Sequence, residues 1–262
     1  MYHESAVVHA RSQVASNVHT LSFRSERIAH SVRPGQFLNI KPDASYDPLL
    51  RRAYSVHRVR KDTIEIIFNV VGKGSAILAC KAPGDSLDVL GPLGVPFNTE
   101  GSFSRAILVS GGVGIAPMPI LSEHLLARGV DVVNIHGARS RNLIADDNRL
   151  VNPLFATDDG SKGFHGTVVE ALDTYITKTS PCDLRLFACG PNRMLAAVGA
   201  YADTQGLALE VSLECQMACG IGICQGCPVE MRSGERRYSL VCTHGPNYNI
   251  HDIVLESIPD PH

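Results

Sequence analysis

The sequence predicts three units in series: a small antiparallel β-barrel over residues 1–101, a doubly wound parallel α/β domain over 102–212, and a cysteine-rich C-terminal module over 213–262. Three observations predict this. The first hundred residues carry short apolar or alternating runs at regular spacing, separated by turn residues. The middle of the chain alternates continuous apolar strands with helical patterns. The last fifty residues hold four cysteines in one loop-and-return pattern.

The barrel strands are expected at Ser5 to Val8, Val18 to Phe23, Gln36 to Ile40, Ala53 to Val59, Thr63 to Val70 and Ser86 to Leu90. Arg33-Pro34-Gly35, Arg60-Lys61-Asp62 and Ala82-Pro83-Gly84-Asp85 punctuate them, because Gly and Pro supply the dihedrals that tight turns require. A short helix is expected from Ser75 to Cys80, opened by Gly74. In the second unit Arg105 to Val109 reads as a buried strand running into the glycine-rich turn Ser110 to Pro117. A helix follows, with Ile120, Leu121, Leu125 and Leu126 on one face and Gly129 as its stop. Val130 to His136, Leu184 to Ala188 and Leu207 to Leu213 are further strands, and Asn192 to Thr204 a further helix.

Composition narrows the class. Of 262 residues, 44% are hydrophobic and 19% charged, which is enough to build a core and excludes a disordered chain. The net charge of −2 advertises no surface for nucleic acid or anionic membranes. Met1 to Ala6 lacks the basic and apolar regions of an export signal, and no apolar run reaches the ~18 residues of a membrane span. With eight cysteines, a reducing cytoplasm is the expected location. Buried, inert thiols are the expectation for Cys80 and Cys182.

Cys219, Cys224, Cys227 and Cys242 follow the spacing C-x4-C-x2-C…C, that of a plant-type [2Fe–2S] cluster. Four thiolates must converge on two irons, so three come from one tight loop and one from a distant turn. Gly220, Gly222 and Gly226 allow that loop its bends and bring amide N–H groups to sulfur. A zinc site and a disulfide framework are the alternatives. Zinc usually takes two short knuckles where only one exists here, and a chain of this length needs no staples.

Other motifs suit a nucleotide. Gly111, Gly112 and Gly114 lie in a strand-to-helix turn of the kind that presents backbone N–H groups to a diphosphate, although such turns also serve packing. Arg52, Ala53, Tyr54 and Ser55 open a strand: the guanidinium could meet a phosphate, the phenol ring stack on a flat ring and the hydroxyl bond its edge. Phe68, Asn69 and Val70 end a strand before Gly72, Gly74 and Ser75, a second place for a diphosphate; an ordinary edge strand and turn is the alternative. Cys189, Gly190 and Pro191 end a parallel strand, where doubly wound sheets place ligands, and a buried thiol at a tight turn is the competing reading. His57, His136, His165 and His244 lack ligand spacing and are expected at the surface or hydrogen-bonded.

In order and spacing, Arg52-Ala53-Tyr54-Ser55, Gly72-Lys73-Gly74-Ser75, Gly91-Pro92-Leu93-Gly94, Gly111-Gly112-Val113-Gly114-Ile115-Ala116-Pro117 and Cys189-Gly190-Pro191 resemble the ferredoxin–NADP reductase superfamily. Within it, Pro34-Gly35-Gln36-Phe37, Pro48 to Arg52, Asp88 to Gly94, Leu213 to Gly222 and Val241 to Pro246 most resemble the family of dihydroorotate dehydrogenase B electron-transfer subunits. The resemblance runs nearly end to end. It implies FAD on the barrel at Arg52, Tyr54, Ser55, Gly74 and Ser75, NAD on the parallel sheet, and the cluster on the four cysteines. It also implies a partner: an FMN-containing dihydroorotate dehydrogenase catalytic subunit, in a heterotetramer of two plus two. Electrons from dihydroorotate would reach NAD+ through the cluster and FAD, as a step in pyrimidine biosynthesis, with no catalytic side chain for dihydroorotate on this chain. NAD is expected over NADP, although Arg139 and Arg141 follow the second sheet strand. A subunit of a related NADPH–ferredoxin or sulfide oxidoreductase, and a zinc-bound interaction module, are the rival readings. Three positions depart from the family pattern: Cys215 where a polar or charged residue is expected, His244 where Asp is usual, and Asn69 in place of a common Arg.

Overall fold

The computed structural model describes residues 1–145, 148–179, 183–234 and 236–258. Six antiparallel strands close a barrel: β1 (Tyr2–Ala15), β2 (Val18–Arg24), β3 (Phe37–Lys41), β4 (Arg52–Arg60), β5 (Thr63–Asn69) and β6 (Ser86–Leu93), in the order β1-β2-β5-β4-β3-β6. Helices α1 (Glu26–Ser31) and α2 (Lys73–Ala79) lie in the connections. The interior is filled by alternate residues such as Leu21 and Phe23, Ile64 and Ile66, and Leu87 and Val89, the period of two that a half-buried strand requires. β1 runs far past its expected end at Val8. Its second half pairs with β2 as an exposed ribbon, so backbone bonds rather than burial hold it and no apolar alternation marks it. Cys80 caps α2 and is exposed, contrary to the expected burial, while Cys182 lies outside the described residues.

The second unit contains β7 (Arg105–Gly111), α3 (Met118–Ala127), β8 (Asp131–Ala138), β9 (Pro153–Thr157), β10 (Phe164–His165), α4 (Val168–Lys178), β11 (Leu184–Cys189), α5 (Asn192–Gln205) and β12 (Ala208–Ser212). Its sheet runs β10-β9-β8-β7-β11-β12, all parallel. Along β7, Ile107 and Val109 face the side covered by α4 and α5, while Ala106 and Leu108 face α3. Both sheet faces are therefore buried, which is why β7 reads as a continuous apolar run. On α3, Leu121 and Leu125 join the sheet core and Ile120 turns to the barrel core. Leu126, expected on that apolar face, is 42% exposed. Helix α4, absent from the expectations above, starts at a capping box in which Thr167 and Glu170 satisfy each other's backbone N–H groups.

The C-terminal segment contributes β13 (Pro228–Met231), β14 (Tyr238–Leu240), α6 (Val241–His244), β15 (Asn247–Asn249) and β16 (Ile253–Val254). β14-β13-β16 form a small antiparallel sheet. β15 instead joins the large sheet, antiparallel to β12, so the expected all-parallel sheet is mixed at this edge. The segment is also sewn to the barrel. Asn247 Nδ2 donates to Gly35 O (3.1 Å) and Val95 O (2.7 Å), and Asn39 Nδ2 donates to Cys219 O (2.8 Å).

Candidate functional site

A cavity of about 520 Å³ lies where the three units meet. Strand β4 supplies Arg52, Ala53, Tyr54 and Ser55, and the end of β5 supplies Phe68 and Asn69. Gly72, Gly74 and Ser75 close one side, Val113 and Ala116 of the glycine-rich turn another, and residues 213–217 a third. Of the barrel residues singled out in the sequence, only Val70 does not line it. Both backbone groups of Val70 are taken by Asn17 at the β1–β2 turn (3.1 and 2.8 Å).

The wall has a definite chemistry. The Tyr54 and Phe68 rings stand 5.5 Å apart at 57°, an apolar surface for a flat ring system. Burial raises the Tyr54 phenol well above its ordinary value despite the nearby Arg52, so it stays neutral. Arg52 Nη1 is anchored on Leu50 O (2.8 Å) and Arg51 O (3.2 Å), which holds the cation at the rim. Ser75 Oγ accepts from Val71 N (3.0 Å) and Gly72 N (3.1 Å) and donates to Gly72 O (3.0 Å), fixing the turn before α2. A Cβ on Gly72 would meet nothing within 4 Å, so this face of the turn is open.

Gly111, Gly112, Gly114, Cys189, Gly190 and Pro191 adjoin the cavity at the carboxyl ends of β7 and β11. There Cys189 sits in register with Ser110. The chain leaves β7 toward β8 on one side while β11 lies on the other, so this is the switch point where doubly wound sheets open a crevice. A Cβ on Gly114 would stand 2.3 Å from Cys189 O, so that glycine allows two backbones to touch. Gly112, at φ +54°, has nothing within 4 Å of a Cβ and leaves its side open. Cys189 is buried, and burial, with Glu214 close by, pushes its thiol far up. At the end of β8, Arg139 and Arg141 are exposed.

The four expected ligand cysteines stand as two pairs. Cys219 Sγ accepts from Cys224 N (3.4 Å) and Ile221 N (3.5 Å). Burial opposes its ionisation, but these N–H groups prevail and lower it to about 7. Cys227 lies within hydrogen-bonding reach of Cys242 and of Cys215, and the Cys215 thiol is the main reason Cys227 sits below the usual thiol range. Gly220 (φ +67°) is pressed on Asn39 and Gly222 (φ +84°) on Thr243, so both loop bends need glycine. The donor set fits a two-iron cluster, which draws on two pairs of thiolates. His57 and His136 are buried and hydrogen-bonded to Ala116 O and Ser110 Oγ, while His165 and His244 are exposed. Of the apolar residues around the ligands, Ile223 is 77% exposed, whereas Met217 and Ile221 pack on the core.

The cavity wall at Val113, Ala116 and residues 213–217 was not singled out as a site from the sequence. Val113 and Ala116 lie within the glycine-rich turn, and residues 213–217 within the run Leu213 to Gly222 that carries the family resemblance, but neither is read there as a wall of the cavity.

Comparison with known proteins shows the family. A family model of the iron–sulfur cluster binding domain of dihydroorotate dehydrogenase B matches residues 214–254. The dihydroorotate dehydrogenase B (NAD(+)) electron transfer subunit of Bacillus caldolyticus is 36% identical over 259 residues, covering 96% of this chain and 98% of that protein. The chain belongs to this family. The corresponding subunit of Desulforamulus reducens is 35% identical over 263 residues, with 96% and 98% covered. Among solved structures, an NADH-dependent reduced ferredoxin–NADP oxidoreductase studied for flavin-based electron bifurcation superposes with a TM-score of 0.87 at 27% identity, over 97% of this chain and 91% of that one. Phthalate dioxygenase reductase shares the fold, with a TM-score of 0.62 at 17% identity and 95% of each chain covered. Family membership places the barrel, sheet and cysteine module in a flavin and iron–sulfur oxidoreductase subunit.

Proposed function

We propose that Cys219, Cys224, Cys227 and Cys242 hold a [2Fe–2S] cluster, that the cavity walled by Tyr54, Phe68 and Ser55 holds FAD, and that the crevice at Gly111 to Gly114 and Cys189 to Pro191 receives NAD(H). The chain is the electron-transfer subunit of an NAD-dependent dihydroorotate dehydrogenase and works with a partner catalytic subunit. The observation that carries this reading is the shared wall. Residues 213–217 line the flavin-sized cavity and run directly into the first cluster cysteine, so both redox sites belong to one connected structure.

The roles of the residues follow from their chemistry. Tyr54 offers a neutral ring face, Arg52 a fixed cation for a phosphate, and Ser55 and Asn69 polar atoms for the ring edge. FAD, when bound, supplies the conversion between one-electron and two-electron chemistry. The open backbone at Gly112 and the parallel strand ends take the nucleotide diphosphate. We assign residues 1–101, 102–212 and 213–262 to flavin, nucleotide and cluster respectively, with β15 of the last segment completing the nucleotide sheet. We assign FMN to the partner subunit and a two-plus-two heterotetramer to the complex. The reducing cytoplasm suits a module whose thiols must stay available to iron. Among the described residues no helix is long and apolar enough to cross a membrane. Cys219 as first ligand favours this reading over the NADPH–ferredoxin and sulfide oxidoreductases, which can carry Asp there.

The test is division of labour. The isolated chain, loaded with FAD and iron, should reduce artificial acceptors with NADH and leave dihydroorotate untouched. Adding the FMN subunit should create dihydroorotate-to-NAD+ turnover. Oxidation of dihydroorotate by this chain alone would overturn the assignment.

A further inference from the structure

His57 is completely buried, yet it is not packed as an inert core residue. Its Nδ1 lies 2.9 Å from the carbonyl oxygen of Ala116. A carbonyl only accepts, so Nδ1 carries the proton and donates. The two partners belong to different units. His57 is on barrel strand β4, two residues beyond Ser55 of the cavity wall. Ala116 closes the glycine-rich turn, its N–H bonded to Val113 O (2.9 Å), and both Val113 and Ala116 line the same cavity. Ile115 between them is fully buried against Val18 and Ile67 of the barrel.

The barrel and the sheet domain are also joined elsewhere. Arg58 and Arg60 pair with Glu123 on α3 (3.1 and 2.6 Å), and Arg149 pairs with Glu65 (3.0 Å). None of these residues lines the cavity. They hold the two units together, whereas the His57 bond acts on the turn itself. Apolar packing at Ile115 resists separation but does not fix direction; a hydrogen bond to a carbonyl fixes both distance and angle.

Building on the flavin and NAD sites proposed above, we infer that His57 is a positioning residue for hydride transfer: its Nδ1–H pins the glycine-rich turn to the flavin strand and so sets the approach of nicotinamide to flavin. Hydride transfer is sensitive to displacement of the reacting groups, and an error of 1 Å can cost about a hundredfold.

The experiment uses the FAD- and cluster-loaded protein with the variants His57→Phe, His57→Asn and His57→Gln. Anaerobic stopped-flow gives the limiting rate of flavin reduction and the NADH Kd. The long-wavelength charge-transfer absorbance reports how nicotinamide stacks on flavin. His57→Phe, which fills the space without donating, should lower the limiting rate about tenfold or more and weaken the charge-transfer band, with NADH Kd changed far less. His57→Asn places its Nδ2 donor where Nδ1 was and should recover most of the rate and the band. His57→Gln, whose donor stands farther out, should fall between. A Phe variant within twofold of wild type in rate, with its band intact, overturns the proposal. If the Phe variant fails to fold, equal rates for Asn and Gln overturn it as well. A wild-type chain that binds no FAD would instead sink the cofactor reading, before any variant is compared.

Discussion

Gly114→Ala tests whether the nucleotide crevice depends on close backbone contact between β7 and β11. The added Cβ would stand 2.3 Å from Cys189 O, 2.5 Å from Cys189 C and 2.7 Å from Gly190 Cα. All three are backbone atoms at the end of a central strand, so no rotamer change relieves the overlap. Non-bonded carbon contacts relax near 3.5 Å, so the turn must move by roughly 1 Å. The turn carries Val113 and Ala116 into the cavity wall, and the displacement passes directly to the side on which we propose nicotinamide approaches. At about a hundredfold per ångström of misplacement, kcat/KM for NADH with an artificial acceptor should fall about a hundredfold. Overpacking should cost about 1–3 kcal/mol of stability, a loss of several degrees in Tm. The iron–sulfur spectrum serves as the internal control and should be unchanged, because none of the four cluster cysteines lies against Gly114. A Gly114→Ala protein with NADH activity within threefold of wild type would refute this account of the crevice.

Three further outcomes are expected. Serine at Cys219, Cys224, Cys227 or Cys242 should lose or damage the [2Fe–2S] spectrum, while Cys215→Ser should keep two irons per chain; iron loss at Cys215 with retention at Cys219 would reverse the ligand assignment. NADH should be preferred over NADPH in kcat/KM despite Arg139 and Arg141, and a clear NADPH preference would promote the NADPH–ferredoxin rival. Glu210, which accepts from Asn98 N at 2.9 Å, is pushed up from 4.5 to about 7 chiefly by burial, so the folded state holds its proton longer than the unfolded state does. Stability should therefore fall as pH rises from about 4.5 through 7. Glu210→Gln should gain about 1–2 kcal/mol relative to wild type at pH 8 and nothing near pH 4.5; an equal gap in Tm at both pH values would exclude charge burial as the cause.

The proposed cluster ligands stand out in the sequence because their spacing is local: three fall within nine residues and glycine marks the bends between them. Arg52 to Ser55, at the start of β4, and Gly72 to Ser75, at the start of α2, were legible for the same reason, each being one contiguous run. The strands of the barrel showed wherever one face is buried, and the exposed half of β1 did not, since nothing in its pattern separates inside from outside. Helix α4 carried a readable start signal in Thr167 and Glu170 that the apolar pattern alone did not use.

What the tertiary structure alone decided is non-local. Cys189 meets Gly114 and His57 meets Ala116 because strands far apart in sequence became neighbours. β15 is only three residues long, too short to show a period, and takes its place because β12 left an open edge beside it. Residues 213–217 wall the cavity because the cysteine module folds back onto the barrel through Asn39 and Asn247. Periodicity and ligand spacing are properties of one segment and can be read from it. A cavity belongs to three segments at once, and its shape exists only after they pack.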